Sequence, residues 1–160
     1  TMEGLRIMEG VADVYLPDIK YFSSDVSQKY SDADDYFKYA SKAVLEMYRQ
    51  VGPPVFDHRG IIKQGLVIRH LILPGLTDES IRILEWIKNN LPPDVYISLM
   101  SQYVPCHKAS CFPEINRRMT RREYEKVLNY LFKTGLENGY VQERESAHEE
   151  YIPAFDLEGL

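Results

Sequence analysis

The sequence has few of the features that mark membrane, secreted or nucleotide-loop proteins. Its 160 residues include only two cysteines, which is too few for a disulfide scaffold and makes a reducing cytoplasm the default expectation. No apolar run approaches the ~18 residues that a membrane span needs, and residues 1–10 lack the basic-then-apolar order of a signal peptide. Glycine-rich phosphate loops and the HExxH and GxSxG motifs are also absent. We therefore expect a soluble, cytoplasmic protein with no membrane partner.

Positive charge is scarce relative to negative charge. Lysine and arginine total 19 against 24 aspartates and glutamates, a formal net charge of −5, which argues against a general nucleic-acid-binding protein but permits a local basic pocket. Hydrophobic residues make up 44% and charged residues 27%, which is an ordinary globular composition. A chain of this length has room for one core, so residues 1–160 are predicted to form a single domain.

Short β-rich runs alternate with helical periodicity along the chain. The β-rich runs predict strands at residues 11–16, 66–73 and 95–100, with a weaker one at residues 140–142. Apolar residues three or four apart predict helices at residues 3–9, at residues 33–47 after Ser31, at residues 81–91 after Thr77, and at residues 124–132 after a capping box at Thr120. This order is typical of βα units that form a parallel sheet, and the nearly continuous apolar strands indicate a sheet covered on both faces.

Two architectures fit this order. Four strands are about half of an eight-stranded (β/α) barrel, and the helical opening has no strand before it, so Thr1 is interpreted as an internal cut. The competing architecture is a complete flavodoxin-like domain, which would normally begin with a strand. The half-barrel is preferred.

Polar residues interrupt or follow the apolar strands where parallel βα folds place their chemistry. Asp18 and Lys20 follow the first strand and lie two apart, so that in extended chain they share one face. Arg69 interrupts the second strand, and a buried guanidinium needs an anion or several acceptors. The adjacent His70 is predicted to point toward the helices, as a histidine with satisfied hydrogen bonds.

The third strand ends in a pair of polar residues. Gln102 can donate and accept hydrogen bonds, and Tyr103 can donate or stack, so either could orient a ligand or simply line a loop. The nearby Cys106, His107 and Cys111 do not have zinc-finger spacing and are interpreted as a loop with two free thiols. Residues 53–60 are interpreted as a connector, and residues 143–160 as an irregular tail over the edge of the domain.

The strand-end motifs together resemble those of a known family. Residues 14–21, 67–75 and 97–103 resemble the radical S-adenosylmethionine proteins, and most of all the homologues of pyruvate formate-lyase-activating enzyme. Residues 147–155 resemble the natural end of that group. The resemblance implies a partial (β/α)6 barrel, a TIM-like α/β fold, of which this chain would be the C-terminal half. It also implies that the N-terminal half, with its CxxxCxxC loop for a [4Fe–4S] cluster, is absent.

The resemblance also implies roles for individual residues. Asp18 and Lys20 match a strand end whose lysine contacts S-adenosylmethionine, Arg69 matches an arginine that reaches the nucleoside and methionine moieties, and Leu71 matches an apolar residue beside the adenine. Gln102 or Tyr103 stands where the family contacts the adenosine. Cys106 and Cys111 have the wrong spacing to replace the cluster loop, so the chain by itself is expected to be inactive and to bind no cluster.

The function implied by the resemblance belongs to the intact enzyme. It would cleave S-adenosylmethionine reductively, with an electron donor such as flavodoxin, to a 5′-deoxyadenosyl radical. That radical would abstract hydrogen from a glycyl-radical enzyme or from a small-molecule substrate. The alternative is a self-contained flavodoxin-like binding module or scaffold without cluster chemistry. A half-barrel would also leave the strand at residues 11–16 at an open edge, which predicts a dimer through that edge or a tail folded over it.

Overall fold

A computed structural model describes residues 1–136 and 138–141, and all structural statements refer to them. The α-helices are α1 (Met2–Met8), α2 (Ser24–Ser31), α3 (Tyr36–Val51), α4 (Thr77–Asn90) and α5 (Arg121–Thr134). The strands are β1 (Val14–Tyr15), β2 (Val55–Phe56), β3 (Ile62–Leu71), β4 (Tyr96–Met100) and β5 (Gly139–Val141). Predicted helices at the start of the chain and before β4 and β5 are confirmed, as is the short last strand as far as Val141. Residues 142–160, which include the predicted tail, lie outside the described residues.

Four parallel strands form the sheet, and their order follows the chain. β1 pairs with β3, β3 with β4, and β4 with β5, all in parallel. The short β2 pairs antiparallel with the beginning of β3. The predicted α/β class with a parallel sheet of about four strands is therefore confirmed.

One face of the sheet packs against the helices. The core takes Leu66 and Ile68 from β3 and Ile97 and Leu99 from β4, and it combines them with apolar residues of three helices. The helix residues in this core are Val44 and Val51 of α3, Ile83, Leu84 and Ile87 of α4, and Tyr124, Val127 and Leu131 of α5. Because side chains alternate along a strand, the intervening residues face the other way. On that opposite face Val67 is buried and Arg69 keeps 43% of its side chain exposed, so this face is covered only in part.

Strand β1 is shorter than predicted. Only Val14 and Tyr15 form regular strand, because the preceding residues complete the end of α1. The amide groups of Val11 and Ala12 both donate to the carbonyl of Met8. Pairing with β3 nevertheless resumes beyond Pro17, where Asp18 forms an isolated parallel bridge with Arg69.

The predicted helix at residues 33–47 begins three residues later than predicted, and a separate helix before it, α2, was not predicted. Ser31 is the last residue of α2, and α3 begins only at Tyr36. Asp32 at the end of α2 and Asp35 before the start of α3 have positive φ angles of 50° and 57°, a left-handed conformation that aspartate adopts more readily than most residues. The apolar pattern of the predicted helix begins at Ala33, so it did not show that α3 starts only at Tyr36.

The segment interpreted as a connector contains strand β2, so that interpretation was incomplete. Strand β3 accordingly begins at Ile62, four residues before the predicted start. Gly65 permits the close approach, because a Cβ there would lie 2.5 Å from Cα of Pro54 and its φ is +121°. The structure therefore requires glycine at position 65, where the chain just before β2 lies against β3.

Helix termini follow the sequence signals closely but not in every detail. Thr120 and Glu123 form the predicted capping box at the start of α5. The helix predicted to follow Thr77 includes it: Thr77 is the first residue of α4, and Leu76 is the N-cap. Within the described residues, no helix combines the length and apolarity that crossing a membrane would require.

Candidate functional site

A row of four polar side chains crosses the open face of the sheet. Asp18 pairs in register with Arg69, Arg69 with Ser98, and Ser98 with Tyr140. In parallel strands, residues in register project to the same face, so the row presents a carboxylate, a guanidinium, a hydroxyl and a phenol to one side. The row lies toward the carboxyl ends of the strands, which is where parallel α/β folds bind ligands.

Asp18 and Arg69 form the charged part of this row. Their backbones are joined on both sides of the bridge, because the Arg69 amide donates to the carbonyl of Pro17 and the Ile19 amide donates to the carbonyl of Arg69. Nε of Arg69 lies 3.3 Å from Oδ1 of Asp18, and both side chains are 43% exposed. The prediction of a buried guanidinium is therefore wrong. An ion pair this exposed contributes only about 0–1 kcal/mol to stability, so the two charges remain accessible to a ligand.

Lys20 lies two residues beyond Asp18 and is exposed. The backbone between them is held by Tyr36 at the start of α3. The Tyr36 hydroxyl donates to the carbonyl of Asp18 at 3.0 Å and accepts from the amide of Lys20 at 3.1 Å. Burial raises the pKa of the Tyr36 phenol, which keeps this hydroxyl protonated and able to serve as a donor. The structure thus places Asp18, Lys20 and Arg69 in neighbouring parts of one sheet edge.

Gln102 and Tyr103 follow β4 at the same end of the sheet. The side-chain oxygen of Gln102 is buried and has no hydrogen-bond partner among the described residues. Such an orphaned acceptor costs about 1–3 kcal/mol unless a ligand or water donates to it. Burial raises the pKa of Tyr103, with smaller contributions from Cys106, Tyr21 and Tyr30. Leu71 lies on β3 two residues after Arg69, on the same face, and is half-buried.

His70 lies on the opposite face of β3, and the prediction that it points toward the helices with satisfied hydrogen bonds is confirmed. Its side chain is buried, with Nδ1 at 2.6 Å from the carbonyl of Ile19 and Nε2 at 2.8 Å from Oγ of Ser80. A carbonyl can only accept, so Nδ1 holds the proton and Nε2 accepts from the Ser80 hydroxyl. Burial lowers the pKa of His70, which favours this neutral form.

Three residues of the site were missed by the sequence reasoning. Ser98 and Tyr140 become members of the row only through strand register, and a serine within an apolar strand gives little signal. Tyr36 lies in the apolar pattern that predicts the helix at residues 33–47, although its hydroxyl contacts the backbone at Asp18 and Lys20. A tyrosine at a helix start could have been marked as a residue that reaches a neighbouring loop.

The two cysteines lie in and beside the 3-10 turn His107–Cys111. Both are exposed and unpaired as thiols. In the part of the chain that the structure describes, no three histidine, cysteine or acidic side chains are placed to hold a metal ion.

A longer archaeal protein is similar in sequence to this chain. No protein-family model matches the sequence, and no solved structure matches it. Over 138 residues the chain is 33% identical to the uncharacterized protein MJ0674 of Methanocaldococcus jannaschii, a match that covers 86% of this chain. The match covers 36% of that protein, so the chain spans about a third of the length of the curated relative it matches.

Proposed function

We propose that this chain is the C-terminal part of a radical S-adenosylmethionine enzyme related to the activases of glycyl-radical enzymes, and that its polar row helps to bind S-adenosylmethionine. The observation that supports this most directly is the Asp18–Arg69 pair at the carboxyl end of the sheet, together with the orphaned oxygen of Gln102. In this proposal, a hydrogen abstracted by the intact enzyme comes from a glycyl-radical protein or a small molecule.

The fold supports a barrel segment. The strand order follows the chain, and the core helices pack on one face of the sheet. A (β/α) barrel has this arrangement, because its helices form an outer ring on one face of the sheet and the other face lines the inside of the barrel. Doubly wound sheets have helices on both faces, so a flavodoxin-like module is the less well supported alternative. We assign the chain to a partial (β/α)6 barrel.

The residues of the row fit the chemistry of S-adenosylmethionine. This ligand has an amine and a sulfonium, which suit the Asp18 carboxylate, and a carboxylate, which suits the charges of Lys20 and Arg69. Leu71 offers an apolar contact for the adenine, and Gln102 can accept from its exocyclic amine. When bound and reduced, S-adenosylmethionine would supply radical chemistry, and the residues of this chain would bind it and orient it.

The residues present do not fit an iron–sulfur cluster. Such clusters are held by several cysteine thiolates, and the sequence contains only Cys106 and Cys111. The proposal therefore requires a cluster-binding segment that is not within these 160 residues, and it confines the role of this chain to binding the organic ligand. The longer relative, of which this chain matches 36%, has room for such a segment.

Isothermal titration of the chain with S-adenosylmethionine tests the proposal. Measurable binding at millimolar ligand is expected, and Arg69→Ala should weaken it at least about tenfold because charge-assisted bonds are lost. Arg59→Ala is the matched control, since Arg59 is an exposed arginine on the β2–β3 turn, paired with Asp57. Absence of binding by the unmodified chain, or equal binding by both variants, would refute the proposal.

A further inference from the structure

The segment that contains Asp18 and Lys20 is fastened from the side of the sheet that faces the helices. Glu79, in the first turn of α4, is only 8% exposed. One of its oxygens accepts from the amides of Phe22 and Ser23, at 2.9 and 2.8 Å, and the other accepts from the Ser23 hydroxyl at 2.5 Å. A single buried carboxylate therefore holds the end of this segment with three hydrogen bonds.

Two further side chains hold the same segment nearer to Asp18. His70 donates from Nδ1 to the carbonyl of Ile19, and Ser80 of α4 fixes the opposite ring nitrogen. Tyr36 bonds the backbone on both sides of Ile19. Residues 18–23 are thus tied at nearly every position by side chains of α3, β3 and α4.

Glu79 accepts a hydrogen bond from the residue that would otherwise cap helix α2. Ser23 is the N-cap residue of α2, yet its side chain makes no cap hydrogen bond to that helix and donates instead to Glu79. Arg82, one turn later on α4, donates to the same Ser23 oxygen at 3.0 Å. The first turn of α4 therefore sets the course of the chain that follows β1.

We propose that Glu79 and His70 are positioning residues, which hold residues 18–23 so that Asp18 and Lys20 meet the ligand in the geometry set by Arg69. Neither residue contacts the ligand. The expected effect on ligand binding depends on the proposed function. The role of Glu79 and His70 in holding residues 18–23 does not depend on it.

Matched variants separate positioning from general stability. Glu79→Gln keeps the size of the side chain but removes its negative charge, so the bonds from the two amides lose their charge assistance, and its new donor group forces the Ser23 hydroxyl, which already accepts from Arg82, to change from donor to acceptor. Glu85→Gln removes the same charge from an exposed position of the same helix. His70→Asn retains a donor near the Nδ1 position, and His70→Ala removes both ring nitrogens.

Amide hydrogen exchange and ligand titration give two independent measurements. In Glu79→Gln, the amides of Phe22 and Ser23 should exchange at least about tenfold faster, while the amide of Leu99 in the core strand β4 keeps its rate. S-adenosylmethionine binding should weaken by a similar factor. Glu85→Gln should match the unmodified chain in both measurements, and His70→Asn should recover most of the binding that His70→Ala loses.

Each outcome decides one part of the inference. Equal exchange at Phe22 and Ser23 in Glu79→Gln and Glu85→Gln overturns the fastening. Faster exchange with unchanged affinity overturns the positioning role. If the unmodified chain does not bind S-adenosylmethionine, the proposed function fails, and the exchange measurement still decides whether Glu79 fastens the segment. If His70→Ala does not fold, the comparison of Glu79→Gln with Glu85→Gln remains decisive.

Discussion

Glu123 offers a sharp test of how this fold is held together. Its carboxylate, 18% exposed, accepts from both terminal nitrogens of Arg117, from the amide and hydroxyl of Thr120, and from the amide of Gly75. The Arg117 guanidinium is the largest cause that holds the Glu123 pKa well below its usual range. One side chain thus joins the turn after β3 to the start of α5.

The substitution Glu123→Gln should cost about 2–3 kcal/mol of unfolding free energy. Hydrogen bonds to a charged group contribute about 1.5–3 kcal/mol each, and a capping residue contributes about 1 kcal/mol. These values are not additive in this network, because the glutamine keeps one oxygen and part of the network is exposed to solvent. For a domain of this size, the corresponding fall in melting temperature is about 5–10 °C.

Urea and thermal denaturation provide the measurement, with Glu125→Gln as the control on the same helix. Glu125 is 48% exposed and pairs with Arg121, so its loss should cost less than about 1 kcal/mol. The sign of the pH effect follows from the lowered pKa of Glu123. Its stabilisation is present above the ordinary glutamate pKa and is lost as pH falls through the folded-state value. Equal losses in the two variants, or a difference that stays constant down to acid pH, would refute the reasoning.

Three more predictions concern other parts of the chain. Because burial lowers the pKa of His70, stability should decrease as pH falls below about 6.5, by up to about 1.4 kcal/mol per pH unit, and His70→Asn should flatten that slope in urea titrations. Gly139→Ala should detach β5, since a Cβ there would overlap the carbonyl of Ile97, and faster amide exchange in β4 would report it. Sedimentation equilibrium should show a dimer through the open side of β1, dissociated by Leu16→Asp at an exposed apolar position; a monomer throughout would exclude it.

Much of the fold followed from local patterns. The opening helix, the capping box at Thr120 and the runs that became β3 and β4 were all visible as periodicity and turn chemistry. Helix α2 was not predicted at all, and the start of α3 at Tyr36 was not visible, because it depends on left-handed aspartates at residues 32 and 35. Strand β2 was missed because a two-residue strand leaves no periodicity.

The site was predictable only in part. Asp18 and Arg69 stood out as charges at apolar strands, and the structure places them 3.3 Å apart. The exposure of Arg69 was not foreseen, since a run of apolar residues does not show which face of a strand is only partly covered. Ser98, Tyr140 and Glu79 depend on register and on contacts between distant segments, which no local pattern encodes.

The alternation along β3 has a consequence for how such a protein can change over evolutionary time. Ile68 and His70 belong to the closed side of the sheet, and Arg69 and Leu71 belong to the open side. Substitutions on the open side can therefore change the charge and shape of that surface while the packed side keeps the chain folded. New surface chemistry becomes accessible through substitutions at alternate residues of a single strand.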